Sequence, residues 1–181
     1  KPIVVYGTSI TQGACASRPG LAYTNILERK MNREFYNFGF SGNGQLDMEV
    51  APLLASVDAG LYVFDCLPNN TASQLKERLE PFYNYLREKR PDVPILFIES
   101  PYFPISRFNA DVKAALKEKN DVLREFYEAR LAAGDKNLYY MKGEEVLDDV
   151  EGTVDNYHFT DVAFRRFADK LLPLLQKYSL K

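Results

Sequence analysis

Ile3-Val4-Val5-Tyr6-Gly7-Thr8-Ser9-Ile10-Thr11, an unbroken apolar run ending in a polar glycine turn, decides how the chain is read. A half-buried strand alternates apolar and polar residues, whereas a run without alternation suits a strand covered on both faces, as in a parallel sheet. Short, largely apolar segments recur at Glu34 to Phe38, Leu61 to Asp65, Ile95 to Glu99 and Asn137 to Met141. Helical patterns lie between and after them, at Ala22 to Met31, Met48 to Ser56, Ala72 to Arg90, Asn109 to Ala133 and Thr160 to Tyr178. This repetition predicts an α/β domain, a three-layer α/β/α sandwich around a parallel sheet.

Two helical patterns carry detail. Thr71 is a suitable N-cap for Ala72 to Arg90, Pro91 follows its end, and Leu75, Leu79, Phe82, Tyr83 and Leu86 form its core stripe. Pro81 falls inside and removes a backbone donor, so a kink or break is expected there. In the next pattern Val112, Leu116, Leu123, Phe126, Tyr127 and Leu131 read as core, and the intervening Lys, Glu and Arg as a solvated surface.

The 181 residues, 46% apolar, suffice for a single domain spanning residues 1–181 with a full core. With 23 basic and 25 acidic side chains mixed along the sequence, the net charge of −2 gives no footprint for nucleic acid or an anionic membrane. No apolar stretch approaches the roughly 20 residues that span a bilayer. The oligomeric state is not legible. Two cysteines and one histidine match no zinc spacing, so no metal is expected. If the first and third strands are neighbours, Cys15 and Cys66 come within reach of a disulfide; two buried free thiols are the alternative.

In an open parallel α/β sheet, ligands bind beyond the carboxyl ends of the strands. Three polar turns fall at that rim. Ser9 is expected at the exposed apex of the first. The second, Asn37-Phe38-Gly39-Phe40-Ser41-Gly42-Asn43-Gly44, brings backbone N–H groups close to a ligand, and the third, Asp65-Cys66-Leu67-Pro68-Asn69-Asn70, supplies two amides. His158, the sole histidine, follows Asp155 by three residues. Imidazole can take a proton from a hydroxyl near pH 7 and return it to a leaving group.

These segments, in this order, resemble the SGNH/GDSL hydrolase superfamily. Cys15-Ala16-Ser17-Arg18-Pro19-Gly20 and Asp65-Cys66-Leu67-Pro68-Asn69 narrow the likeness to a bacterial GDSL-like lipase/acylhydrolase subfamily. The resemblance implies a flavodoxin-like five-stranded sheet of order 2-1-3-4-5. It also implies Ser9 as nucleophile, His158 as base, Asp155 as its orienting acid, and an oxyanion hole from Ser9, Gly42 and Asn69. Thr8 stands where the family usually has Asp, and Leu67-Pro68-Asn69-Asn70 replaces Gly-x-Asn-Asp, so the choice of Asn69 over Asn70 rests on alignment.

The activity implied by the resemblance is that of a serine esterase working through an acyl-enzyme, with no metal or organic cofactor. Its substrate would be a small-molecule or carbohydrate ester bearing a small acyl group such as acetyl, with Arg18, Tyr102 and Phe103 as candidate contacts. A thioesterase or lysophospholipase on the same scaffold, and an inactive carbohydrate-binding descendant, are the alternatives. Members of the subfamily often follow a β-rich domain, so the chain is expected to be excised from a longer one. A Cys15–Cys66 bond would favour an exported or periplasmic protein over a cytoplasmic one.

Overall fold

The computed structural model describes residues 1–147 and 150–179. In chain order the elements are β1 (Ile3–Gly7), α1 (Ser9–Gln12), α2 (Tyr23–Met31), β2 (Phe35–Gly39), α3 (Ala51–Ser56), β3 (Leu61–Asp65), α4 (Ala72–Lys89), β4 (Ile95–Ile98), α5 (Ala110–Ala132), β5 (Leu138–Met141), α6 (Gly143–Val146) and α7 (Asp161–Tyr178). Every strand pairing is parallel, and the order is β2-β1-β3-β4-β5, as the resemblance implies. The expected α/β/α sandwich is the architecture found.

β1 and β3 are buried along their whole length, which is why they carry no polar alternation. Successive side chains point to opposite faces. Ile3 and Val5 join Ile26 and Leu27 of α2 and Phe164, Phe167 and Leu171 of α7 in one apolar layer. Val4 and Tyr6 join Leu54 of α3, Leu75, Leu79, Phe82 and Leu86 of α4, and Leu123 of α5 in the other. Tyr6 stacks on Phe82 with ring centroids 5.7 Å apart, and Phe64 meets Phe82 edge-on at 5.8 Å. Each such buried aromatic contributes on the order of 2–3 kcal/mol.

α4 begins at the expected cap, since Thr71 Oγ1 accepts from Gln74 N at 3.2 Å and Gln74 Oε1 accepts from Thr71 N at 2.9 Å. The expected break at Pro81 does not occur: α4 runs on to Lys89. Pro81 and Glu77, whose carbonyl lacks the usual i+4 donor, both lie on the exposed side, where water can serve that carbonyl. Among the described residues, no helix is long and apolar enough to cross a membrane.

The register sets Gly7 beside both Gly39 and Asp65, so β1, β2 and β3 end together. The three polar turns leave the sheet from that rim.

Candidate active site

Ser9 is not at an exposed apex. It is the first residue of α1 and only 8% exposed. Thr8, at the position where the family usually has Asp, caps the helix: its Oγ1 accepts from Ile10 N at 3.2 Å, while Thr8 N donates to Thr11 Oγ1 at 3.3 Å. A short polar side chain suffices for this role, so threonine can stand in for aspartate. As the first residue of a helix, Ser9 keeps a backbone N–H without an intrahelical acceptor.

Below the helix lies buried Asp65. Its Oδ2 accepts from Thr11 Oγ1 and from the Tyr23 hydroxyl, both at 2.9 Å. Burial pushes the Asp65 carboxyl up to about 6, against the two hydroxyl donors that pull it down. This network ties α1 to β3 and α2.

The second turn is pressed against the first. A Cβ on Gly44 would stand 2.3 Å from Gly7 O, so only glycine lets the two backbones approach this closely. Tyr6 reaches out of the sheet, and its hydroxyl accepts from Leu46 N at 2.9 Å. Gly42 takes the left-handed conformation with φ of 71°, lines the pocket beside Ser9, and has its carbonyl held by Gln45 Nε2 at 3.0 Å.

The third turn separates its two amides by role. Asn70 is 2% exposed, and its Nδ2 donates to Gly44 O at 2.9 Å and Cys66 O at 2.8 Å. Its donors are taken up in clamping the turns together. Asn69 lines the pocket, and its Oδ1 accepts from Gly44 N at 3.3 Å, which leaves its Nδ2 as the donor. Geometry therefore favours Asn69 over Asn70 as the amide available to a ligand.

His158 arrives from the far end of the sequence. Thr153 and Phe159 form an antiparallel bridge, Val154 N donates to His158 O at 2.8 Å, and Asn156 is left-handed with φ of 73°, so residues 154–158 close into a tight turn. Within it Asp155 Oδ1 accepts from Tyr157 N at 3.0 Å and His158 N at 2.8 Å, while Oδ2 lies 2.6 Å from His158 Nδ1. The hydrogen bond from the ring, followed by the one from the His158 backbone, holds the Asp155 carboxyl down to about 2. On the other edge of the ring, Nε2 lies 2.9 Å from Ser9 Oγ. A carboxylate on Nδ1–H leaves Nε2 as the basic nitrogen facing the hydroxyl.

These groups open into a pocket of 440 Å³. Ser9, Gly42, Asn69 and His158 line one part; Phe103 and the α5 residues Val112, Ala115, Leu116 and Lys119 line another. Of the three candidate substrate contacts, only Phe103 is there, with its ring centroid 5.3 Å from that of Tyr157. Tyr102 faces a neighbouring hollow with Ser106 and Lys113, and Arg18 is exposed near Asp161 at the start of α7.

Sequence reasoning missed the α5 wall. Val112 and Leu116 were expected in the core and the lysines on a solvated surface, but Lys119 is only 9% exposed. The signal was its register: Lys119 follows Val112 by seven residues and Leu116 by three, on one helical face.

The disulfide expectation is corrected: both thiols are free. Cys66 is buried in the layer with Tyr6 and Leu46, and burial pushes its thiol far up. Cys15 is exposed, left-handed with φ of 69°, and directed at the histidine loop. The export argument built on the bond falls with it. Cys15, Asp155 and His158 instead bring one ligand atom each within 4.8 Å of one another, a donor set that suits zinc. A metal there would compete with the contacts that Asp155 and His158 already make.

Comparison with known proteins agrees with this architecture. The model of the GDSL-like lipase/acylhydrolase family matches residues 1–176. No match is found among the curated proteins. A GDSL-like lipase structure from Bacteroides ovatus ATCC 8483 is 40% identical, with a TM-score of 0.93 over 98% of this chain and 53% of that one. The salicylyl-acyltransferase SsfX3 from a tetracycline biosynthetic pathway is 22% identical, with a TM-score of 0.82 over 93% and 52%. A family two carbohydrate esterase from Clostridium thermocellum, in complex with cellohexaose, is 15% identical, with a TM-score of 0.77 over 98% and 64%. The chain thus spans about half the length of the first two. The last two likenesses, both under 25% identity, are of fold alone. By the match over residues 1–176, the chain belongs to the GDSL-like lipase/acylhydrolase family.

Proposed function

We propose that the protein is a serine esterase that cleaves carboxylic esters through an acyl-enzyme on Ser9. The observation that carries this reading is the relay of contacts from Asp155 Oδ2 to His158 Nδ1, 2.6 Å, and from His158 Nε2 to Ser9 Oγ, 2.9 Å. His158 takes the serine proton as Oγ attacks the ester carbonyl. The tetrahedral oxyanion is held by the N–H groups of Ser9 and Gly42 and by Asn69 Nδ2. Collapse expels the alcohol with the proton from His158, and water, activated by the same imidazole, releases the acid and frees Ser9. Asp155 stays ionised and fixes the ring.

A small acyl group such as acetyl, carried on a carbohydrate, is the substrate class we infer. Its support is the fold shared with the cellohexaose-bound esterase and with a two-domain esterase active on acetylated mannans, 20% identical with a TM-score of 0.69. The apolar wall of Phe103, Val112, Ala115 and Leu116 supports a second reading, in which the acyl chain is longer. A panel of acetylated sugars, p-nitrophenyl esters of rising chain length and acyl-thioesters, run against the native protein and Ser9→Ala, separates these readings. Turnover should fall by roughly 10⁴-fold or more in the variant. Undiminished turnover by Ser9→Ala would overturn the assignment.

A further inference from the structure

Lys119 is more than nine-tenths buried, and it lines the pocket that contains Ser9 and His158. An ammonium carries three N–H donors. Two are accounted for by Leu67 O at 3.2 Å and Pro68 O at 3.3 Å, in the turn that carries Asn69. Among the described residues, no carboxylate pairs with Lys119 and no Asp or Glu lines the pocket. Burial alone pulls its pKa down, to about 8, with no neighbouring charge offsetting the effect. Lysines so deeply buried are normally paired. Among the described residues the pocket therefore holds a single cation, short of a counter-charge, at the end of an apolar wall made by Val112, Ala115 and Leu116.

We propose that Lys119 is the anion subsite of this pocket, selecting esters whose acyl or alcohol part carries a carboxylate that the third N–H of its ammonium binds. This rests on the esterase reading and names the substrate class within it. A hydroxyl could accept the same N–H but would leave the buried charge unbalanced. A carboxylate supplies both the acceptor and the counter-charge, in a charge-assisted hydrogen bond. Lys119 is held at Leu67 O and Pro68 O, in the turn that carries Asn69, so the spacing between the anion and the reacting carbonyl is the variable that a series of matched esters reads.

The test compares matched esters on the same enzyme. Mono-4-nitrophenyl succinate, glutarate and adipate are set against the butyrate, valerate and hexanoate, and 3- and 4-acetoxybenzoate against the corresponding benzamides. In at least one series the carboxylate ester should have a kcat/KM about tenfold or more above its neutral partner. Lys119→Met, which keeps the buried stem and removes the ammonium, should abolish the preference, and Lys119→Arg should retain much of it. A merely structural lysine, bracing the carbonyls of Leu67 and Pro68, would lower both members of each pair alike and leave the ratio unmoved. No preference in the native enzyme, or a preference surviving Lys119→Met, would overturn the proposal. The native ratio needs no variant, so a misfolded Lys119→Met leaves the idea open to refutation.

Calorimetric binding of adipate and benzoate to Ser9→Ala, with and without Lys119→Met, reads the subsite independently of turnover. If no ester is cleaved, the esterase reading fails, while saturable binding that depends on Lys119 would still support the subsite. Absence of such binding would count against it.

Discussion

Ser9 Oγ and His158 Nε2 lie 2.9 Å apart although they stand 149 positions apart in the chain. The first stands at the start of α1, held by its Thr8–Thr11 capping box. The second sits in a turn closed by the Thr153–Phe159 bridge. Each is therefore placed by local hydrogen bonds, and the sheet needs only to bring the two short segments together.

Asp155→Asn should lower kcat by roughly 10²- to 10⁴-fold with little loss of stability. Asparagine can still accept the Tyr157 and His158 backbone N–H groups through Oδ1. Its amide, however, would present a donor to Nδ1 and favour the tautomer whose protonated Nε2 cannot take the serine proton. Because the Asp155 carboxyl is held at about 2, it stays charged through any ordinary assay range. Undiminished kcat in Asp155→Asn, measured on a stable ester, would contradict its role.

Asn69→Ala and Asn70→Ala should fail in different ways. Loss of the Asn69 amide should cost about 10²- to 10³-fold in kcat, with little change in melting temperature. Loss of the Asn70 side chain leaves the buried Gly44 and Cys66 carbonyls without their clamp and should destabilise the fold by about 1–3 kcal/mol. Paired kinetics and thermal unfolding of the two variants check the assignment, and the reverse pattern would exchange their roles.

Asp65 should write a signature into stability against pH. Its folded pKa, about 6, lies above the ordinary carboxyl value of 3.8. The folded state therefore binds more protons between those values, and stability contributed by the neutral form is lost as pH rises from about 4 to 6. In Asp65→Asn that slope should disappear, with a difference between the two curves of up to about 3 kcal/mol across the window. Denaturant titrations at pH 4, 5, 6 and 7 measure it; parallel curves would refute it.

One thiol should react in the native protein and two after unfolding, because Cys15 is exposed and Cys66 is buried with its thiol pushed up. Labelling Cys15 with a disulfide-forming thiol reagent should inhibit, since its Sγ lies beside Asp155 and His158, and reduction should restore activity. Absence of any native reaction would instead indicate a bonded or buried pair.

β1, β3 and β4 were legible because burial on both faces leaves apolar runs such as Ile3 to Tyr6, whereas β2, at the sheet edge, exposes Tyr36 and Asn37. His158 stood out by being alone and next to an acid, and the family likeness supplied the strand order and the partners of Ser9. Other features were hidden for physical reasons. Lys119 looked like any helix-surface lysine because a sequence does not show that α5 turns that face toward a pocket. Pro81 suggested a kink or a break, and that the helix continues through it depends on how α4 docks, with Pro81 on the exposed side. Cys15 and Cys66 suggested a pair from neighbouring strands, but one side chain points into the layer beneath the sheet and the other toward the histidine loop.

Whether Ser9 forms the covalent acyl intermediate is tested by mass spectrometry of the protein after reaction with an organophosphonate ester. One adduct per chain is expected, on the peptide containing Ser9, absent in Ser9→Ala and formed much more slowly in His158→Ala. An adduct on another residue, or ester turnover that persists with Ser9 unmodified and uninhibited, would contradict it.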